Sequence, residues 1–246
     1  RLKPKNMIIG INGYAGSGKD TVGTIIQYLQ ADTNIPLKGV LNKTPHHIWW
    51  LEDRSGWEIK KWAGKLKDIA SLLTGIPVEN FEDQEFKTTF LGPEWGTVTS
   101  NPLNAIPVFS DIQFNHLISV REFLQKLGTD AIRDGLHTNA WVNALMSDYK
   151  KDLSECGTSK KGTVVKCSKY PNWIITDTRF PNEAEAIKKA GGIVIRVDRP
   201  GVKPINDHPS ETGLDDWKFD YKIANVSDLK ALTGTVEMIL VKENIL

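Results

Sequence analysis

The chain has 246 residues and a formal net charge of +1, from 31 basic and 30 acidic side chains. So even a balance excludes a general field for nucleic acid or an anionic membrane surface, and the length allows one large α/β domain or two small ones, with a real core. Two cysteines, Cys156 and Cys167, are too few for a disulfide framework and have no metal-type spacing, which suits a reduced, cytoplasmic setting.

No apolar run approaches membrane-spanning length, and Arg1-Leu2-Lys3-Pro4-Lys5 is not followed by the apolar core of a signal peptide. The first element is the apolar run Met7-Ile8-Ile9-Gly10-Ile11, which reads as a fully buried strand. Gly13-Tyr14-Ala15-Gly16-Ser17-Gly18-Lys19-Asp20-Thr21 follows, and then a helix-compatible run over 20–30. Strand, glycine-rich turn and helix in that order are the context of a phosphate-binding loop. Gly13, Gly16 and Gly18 let main-chain N–H groups crowd around phosphate oxygens, the helix start adds its dipole, and Lys19 reaches the β- and γ-phosphates. The usual loop ends Gly-Lys-Ser/Thr, whose hydroxyl meets Mg²⁺. Here Asp20 stands at that position with Thr21 next to it, and which of the two meets the metal stays open.

Residues 31–58 read as irregular, with Pro36 and Pro45. The aromatic cluster 46–51 suits a covered loop or hairpin, or a surface for a partner subunit. Residues 58–63 look like a short strand, Gly64 breaks it, and 65–73 has helical spacing closed by Gly75. Lys65 and Lys67 at that junction suit either a second phosphate or a solvated first turn. The proline-rich, aromatic stretch 76–118 is too long for a structureless loop and reads as a flap inserted into the domain; its acidic group Glu82, Asp83 and Glu85 reads as solvated. Ser119 caps an amphipathic helix ending at Gly128, with Glu122 completing a capping box, and Arg121 and Gln125 share one face of it. A short helical turn over 129–134 and a helix over 141–149 come next.

The lysine-rich segment 150–171 reads as mobile surface, in part a hairpin around Thr163-Val164-Val165. Trp173-Ile174-Ile175-Thr176 is a buried strand ending in Asp177-Thr178-Arg179, and the carboxyl ends of parallel strands are where α/β folds place ligand groups. Asp177 is thus a candidate to hold Mg²⁺ or its water. A helix over 182–190 follows with Glu183 in its first turn, then strands 193–197 and 221–224, and a last helix from 228 to about 241 capped by Ser227. Buried strands alternating with helices imply a mostly parallel central sheet flanked by helices, one domain over 1–246 with the flap at 76–118.

At this point the chain resembles the phage-type deoxynucleoside monophosphate kinases, a branch of the P-loop nucleotide kinases. The resemblance rests on Gly13–Thr21, Ala63–Asp68, Leu127–Asp130, Trp141-Val142, Asp177–Arg179, Val197–Gly201 and His208–Leu214, in that order; 31–57, 88–118 and 150–171 match poorly. It implies a three-layer P-loop NTPase fold and transfer of the ATP γ-phosphoryl group, with Mg²⁺, to a deoxynucleoside 5′-monophosphate, giving the diphosphate. It implies that Gly13, Ala15, Gly16, Ser17, Gly18, Lys19, Asp20 and Thr21 serve the ATP phosphates and metal, with Arg199 and the loop to Glu211 over the donor base. It gives Arg121 and Arg179 the role of clamping phosphates, Asp177 that of orienting an arginine or the hydrated metal, and Glu183 that of holding Arg179 by a carboxylate–guanidinium pair. Gly128, Thr129 and Trp141 would shape the acceptor pocket, with Gln125, Lys65 and Lys67 on the acceptor side. No nucleic-acid or membrane partner is implied, and a homodimer is compatible with it. The rival expectations are a P-loop kinase of another phosphorylated small molecule and a nucleotide-binding module without transfer.

Overall fold

β1 (Ile8–Asn12) is buried along its whole length, as its apolar run through Ile11 requires, with the buried Asn12 hydrogen-bonded at its end. The computed structural model describes residues 7–31, 33–41, 45–98, 114–158, 164–205 and 208–246. After β1 come α1 (Lys19–Gln30), α2 (Leu37–Val40), α3 (Pro45–Ser55), β2 (Trp57–Lys60) and α4 (Gly64–Thr74). Three short 3₁₀ turns lead to β3 (Thr97–Val98) and β4 (Phe114–His116), then α5 (Val120–Gln125) and α6 (Ala140–Met146). The chain closes with β5 (Asp152–Thr158), β6 (Val164–Lys169), β7 (Asn172–Ile175), α7 (Pro181–Lys189), β8 (Ile193–Asp198), α8 (Pro209–Thr212), β9 (Tyr221–Ala224) and α9 (Leu229–Lys242). Among the described residues no helix is long and apolar enough to cross a membrane.

The contacts divide the chain into two compact units: residues up to Trp62 with Val142–Leu246, and Ala63–Trp141. In the first, five strands form one sheet in the order β2-β7-β1-β8-β9, every neighbouring pair parallel. Alternation along the strands separates two apolar layers. Ile9, Ile11, Ile174, Ile193, Ile195 and Val197 face one side with Ile25 of α1 and Val236 of α9, while Ile8, Trp173, Ile175 and Val194 face the other with Ile187 of α7 and Leu145 of α6. Helices on both faces of a parallel sheet are what the strand and helix order led one to expect, and they make the three layers of the P-loop NTPase fold that the resemblance implied. Of the hairpin expected around Thr163-Val164-Val165, β5 and β6 pair antiparallel, and the connection 159–163 lies outside the described residues.

In the second unit Ala70, Phe81, Leu91, Val120 and Phe123 form a separate core, with Trp95 edge-on to Phe123 at 5.0 Å. Of the expected flap over 76–118, residues 99–113 lie outside the described residues.

The structure corrects three local expectations. Residues 45–55 are helical rather than irregular: Pro45 occupies the first helical position, where its fixed φ and missing N–H cost nothing, and Leu51 is buried with Val40 and Ala31. The helix begun at Ser119 does not stop at Gly128; its winding widens to π over Lys126–Asp134. Gly128 is there for close packing, since a Cβ would stand 2.8 Å from Leu66 Cδ2. Asp228, not Ser227, caps the last helix by accepting from the Ala231 N–H at 2.9 Å. Glu82 is exposed, as expected of that acidic group, and also pairs with Lys67. The Ser119 cap itself is as expected, its hydroxyl accepting from the Glu122 N–H at 3.2 Å.

Candidate active site

β1 delivers the glycine-rich loop to the carboxyl edge of the sheet, and β7 lies directly beside it, with Gly10 opposite Ile175. That pairing brings Asp177 and Arg179 to the phosphate loop although more than 150 residues separate them in sequence. Two hydrogen bonds tie the strand ends together: Asn12 Nδ2 donates to the Thr178 carbonyl at 2.7 Å, and the Thr178 N–H to the Ile11 carbonyl at 3.2 Å.

The loop turns tightly, with the Ser17 N–H donating to the Tyr14 carbonyl at 3.1 Å and Ala15 and Gly16 at the tip. Gly18 precedes α1 with φ of 99°, a left-handed conformation that favours glycine, and a Cβ there would meet Asn225 Nδ2 at 2.6 Å. That amide donates to the Ser17 carbonyl at 2.9 Å, and Arg199 Nη1 donates to the Gly16 carbonyl at 3.4 Å. Both contacts turn loop carbonyls outward, which leaves the N–H groups for an anion. The Ser17 hydroxyl is buried without a hydrogen-bond partner among the described residues, an orphan that a phosphate oxygen would satisfy.

Burial pushes the Lys19 ammonium below the ordinary lysine range; Asp20 pulls it back up, Arg179 lowers it further, and Asp177 and Glu211 raise it. These five charges therefore share one electrostatic neighbourhood. Asp20 Oδ1 accepts from the Thr176 hydroxyl at 2.9 Å, and Asp177 Oδ1 from the Trp62 N–H at 2.8 Å. Two fixed carboxylates beside a phosphate loop are the donor set Mg²⁺ uses when phosphates complete its shell. Thr21 instead lines a cleft of about 360 Å³ with Arg199, Pro200, Asn225, Val226 and Leu229.

Glu183 does hold Arg179, but by the main chain: its Oε2 accepts from the Arg179 N–H at 2.7 Å and the Phe180 N–H at 3.1 Å, fixing the start of α7. The expected carboxylate–guanidinium pair is made with Glu211 instead, at 2.8 Å.

On the Ala63–Trp141 unit, Arg121 Nη2 donates to Gln84 Oε1 at 3.2 Å, and Gln125 lies on the same helix, α5. Thr129 and Trp141 are buried, and the Trp141 indole N–H donates to the Gly128 carbonyl at 2.8 Å. Lys65 is exposed, whereas Lys67 is buried against Glu82.

Residues 92–236, more than half of the chain, match the family model described as deoxynucleotide monophosphate kinase. The chain belongs to this family. It is thus a kinase, an enzyme that moves phosphoryl groups between nucleotides. The deoxynucleoside-5'-monophosphate kinase of Escherichia phage T5 is 25% identical over 91% of this chain and 91% of the relative. The deoxynucleotide monophosphate kinase of Enterobacteria phage T4 is also 25% identical, over 94% of this chain and 97% of its own length. That of Escherichia phage RB69 is 29% identical over 51% of this chain and 46% of the relative.

Several residues of this kinase's phosphate region carry no motif of their own. Asn225 follows the end of β9, and Thr176 the end of β7, so strand ends were the available signal. Tyr14 is inside the loop, and its hydroxyl donates to Asp215. The same carboxylate receives Arg196 at 3.2 Å. That guanidinium packs 4.5 Å from the Tyr14 ring centroid and donates to Asn12 Oδ1 at 2.6 Å and Asp198 Oδ1 at 2.8 Å. Burial opposes its charge, and the hydrogen bond to Asp198 with the Tyr14 contact outweighs the burial, raising its pKa further.

Proposed function

We propose that this kinase transfers the γ-phosphoryl group of ATP to the phosphate of a deoxynucleoside 5′-monophosphate, giving ADP and the diphosphate. The observation that carries it is the neighbourhood of Lys19: a phosphate loop, two carboxylates and the Arg179 guanidinium, all positioned by the ends of β1 and β7. The names of the phage T5 and T4 relatives support the acceptor class.

In this reading the N–H groups of Gly13–Gly18 and the orphan Ser17 hydroxyl take the donor phosphates, with Lys19 on the β- and γ-oxygens. Asp20 and Asp177 would hold Mg²⁺, with Thr21 as the rival for Asp20. Bound there, the metal would supply neutralisation of the phosphate charge. The cleft at Arg199 and Asn225 takes the donor base. Arg121, Gln125, Gly128, Thr129, Trp141, Lys65 and Lys67 are assigned to the acceptor, and 76–118 to the flap that binds it.

An acceptor phosphate is largely ionised at neutral pH, with a second pKa of about 6, so its oxygen attacks without a general base. The new bond joins that oxygen to the γ-phosphorus as the bond to the β,γ-bridging oxygen breaks, and ADP leaves. Catalysis is then alignment and charge compensation, for which the Arg179 fork is suited. An infected cell's cytoplasm is the proposed setting, from the phage sources of the relatives.

The test is ADP production from ATP and Mg²⁺ with each of the four common deoxynucleoside monophosphates, and with none. Acceptor-dependent turnover is expected. Acceptor-independent hydrolysis would overturn the proposal. ATP binding by calorimetry without turnover would transfer it to a different phosphorylated acceptor or to a passive module.

A further inference from the structure

Arg179 is held by both ends. Its main-chain N–H is fixed by Glu183, and its Nη1 donates to Glu211 Oε1 at 2.8 Å, to the Ser210 carbonyl at 3.3 Å and to Ser210 Oγ at 3.5 Å. Among the described residues all the guanidinium contacts use Nη1. Nε and Nη2, the remaining prongs of the fork, stay available for phosphate oxygens. The exposures point the same way: the Glu211 side chain is 5% exposed and that of Arg179 39%. The carboxylate therefore lies behind the guanidinium, on its protein side.

A buried carboxylate in a neighbourhood meant for anions repels the substrate, so its presence there needs a return. The turn that carries it is well built. The Glu211 N–H donates to the His208 carbonyl at 2.8 Å, the Ser210 N–H to His208 Nδ1 at 3.2 Å, and Pro209 opens α8. Arginine is rich in rotamers, and fixing one nitrogen in advance removes part of the ordering cost from the transfer step.

We propose that Glu211 is a positioning residue that presents Arg179 to the transferring phosphoryl group. The inference rests on the phosphotransfer reading above. It predicts that Glu211 acts through Arg179 and has little effect without it.

The experiment is a double-mutant cycle of Glu211→Ala and Arg179→Ala, read as kcat, KM for both substrates and Tm. Glu211→Ala is expected to lower kcat about 10- to 100-fold in the parent and less than about twofold in the Arg179→Ala background. Glu211→Gln, which keeps an acceptor of the same length, is expected to recover part of that loss. An equal loss in both backgrounds, a loss that follows Tm alone, or no loss in the parent overturns the inference. If Glu211→Ala does not fold, Glu211→Gln replaces it in the cycle. If the parent makes no ADP with any deoxynucleoside monophosphate, it is the phosphotransfer reading that fails. The cycle is then read on ATP affinity by calorimetry, where coupling sustains the positioning role and additivity overturns it.

Discussion

The hydroxyl of Thr176 donates to Asp20 Oδ1 at 2.9 Å, joining the residue after β7 to the position where a phosphate loop ordinarily carries its own hydroxyl. The hydroxyl has moved to the neighbouring strand end, and a carboxylate has taken its place on α1. A carboxylate held this way is oriented before any cation arrives. Partners of metal ligands typically matter by 10- to 100-fold, so Thr176→Val is expected to raise the Mg²⁺ concentration for half-maximal activity about tenfold. Asp20→Asn is expected to raise it further. A Mg²⁺ titration unchanged in both variants would assign the metal to Thr21.

Lys19 carries a stability cost in the unliganded protein, because burial disfavours its charge. Its folded pKa lies below the ordinary 10.5, so between the two values the unfolded chain binds more protons, and stability rises with pH. Lys19→Met removes the cost. Without nucleotide, the variant is expected to melt above the parent at neutral pH, with the gap closing as pH rises toward 10.5. Its turnover is expected to fall at least about 100-fold, the scale of removing one preorganised charge from a transition state. Melting curves from neutral to alkaline pH check the first expectation, and a gap that widens with pH would contradict it.

How much of this was legible in the sequence follows from the range of each interaction. β1, β7 and β8 announce themselves because a strand buried on both faces is largely apolar, with few polar residues. The loop and the Ser119 cap are patterns within a few residues. Asn225 on Ser17, Tyr14 on Asp215 and Glu211 on Arg179 depend on sheet order and loop paths that local patterns do not encode. Pro45 and Gly128 were misplaced for a different reason. Each is a common punctuation mark for chain breaks, and here one starts a helix and the other admits a neighbouring leucine.

Lys67 illustrates how burial limits a role read from motif position. Its ammonium is nearly enclosed and pairs with Glu82, whose side chain is 47% exposed. Since one partner is solvated, Lys67→Met is expected to cost only about 1 kcal/mol of stability, and Glu82→Gln less. If Lys67 also holds the acceptor phosphate, the KM for the deoxynucleoside monophosphate rises in Lys67→Met and not in Glu82→Gln. Equal KM values in the two variants would confine Lys67 to the pair. Chemical denaturation and acceptor-varied kinetics separate the two outcomes.

The phosphate loop is braced by the paired charges of Asp215 and Arg196. Tyr14 reaches both oxygens of Asp215 at 3.0 Å while its ring lies on the Arg196 guanidinium. Tyr14→Phe keeps the ring and removes the hydroxyl. One hydrogen bond of this kind is worth about 1 kcal/mol, so the KM for ATP is expected to rise about fivefold while kcat stays within about twofold. Tyr14→Ala also removes the stacking and leaves the buried guanidinium with less cover, so a larger rise in KM is expected, with a lower melting temperature. A fall in kcat at unchanged KM for ATP would show that Tyr14 acts on the transfer step and not on the shape of the loop.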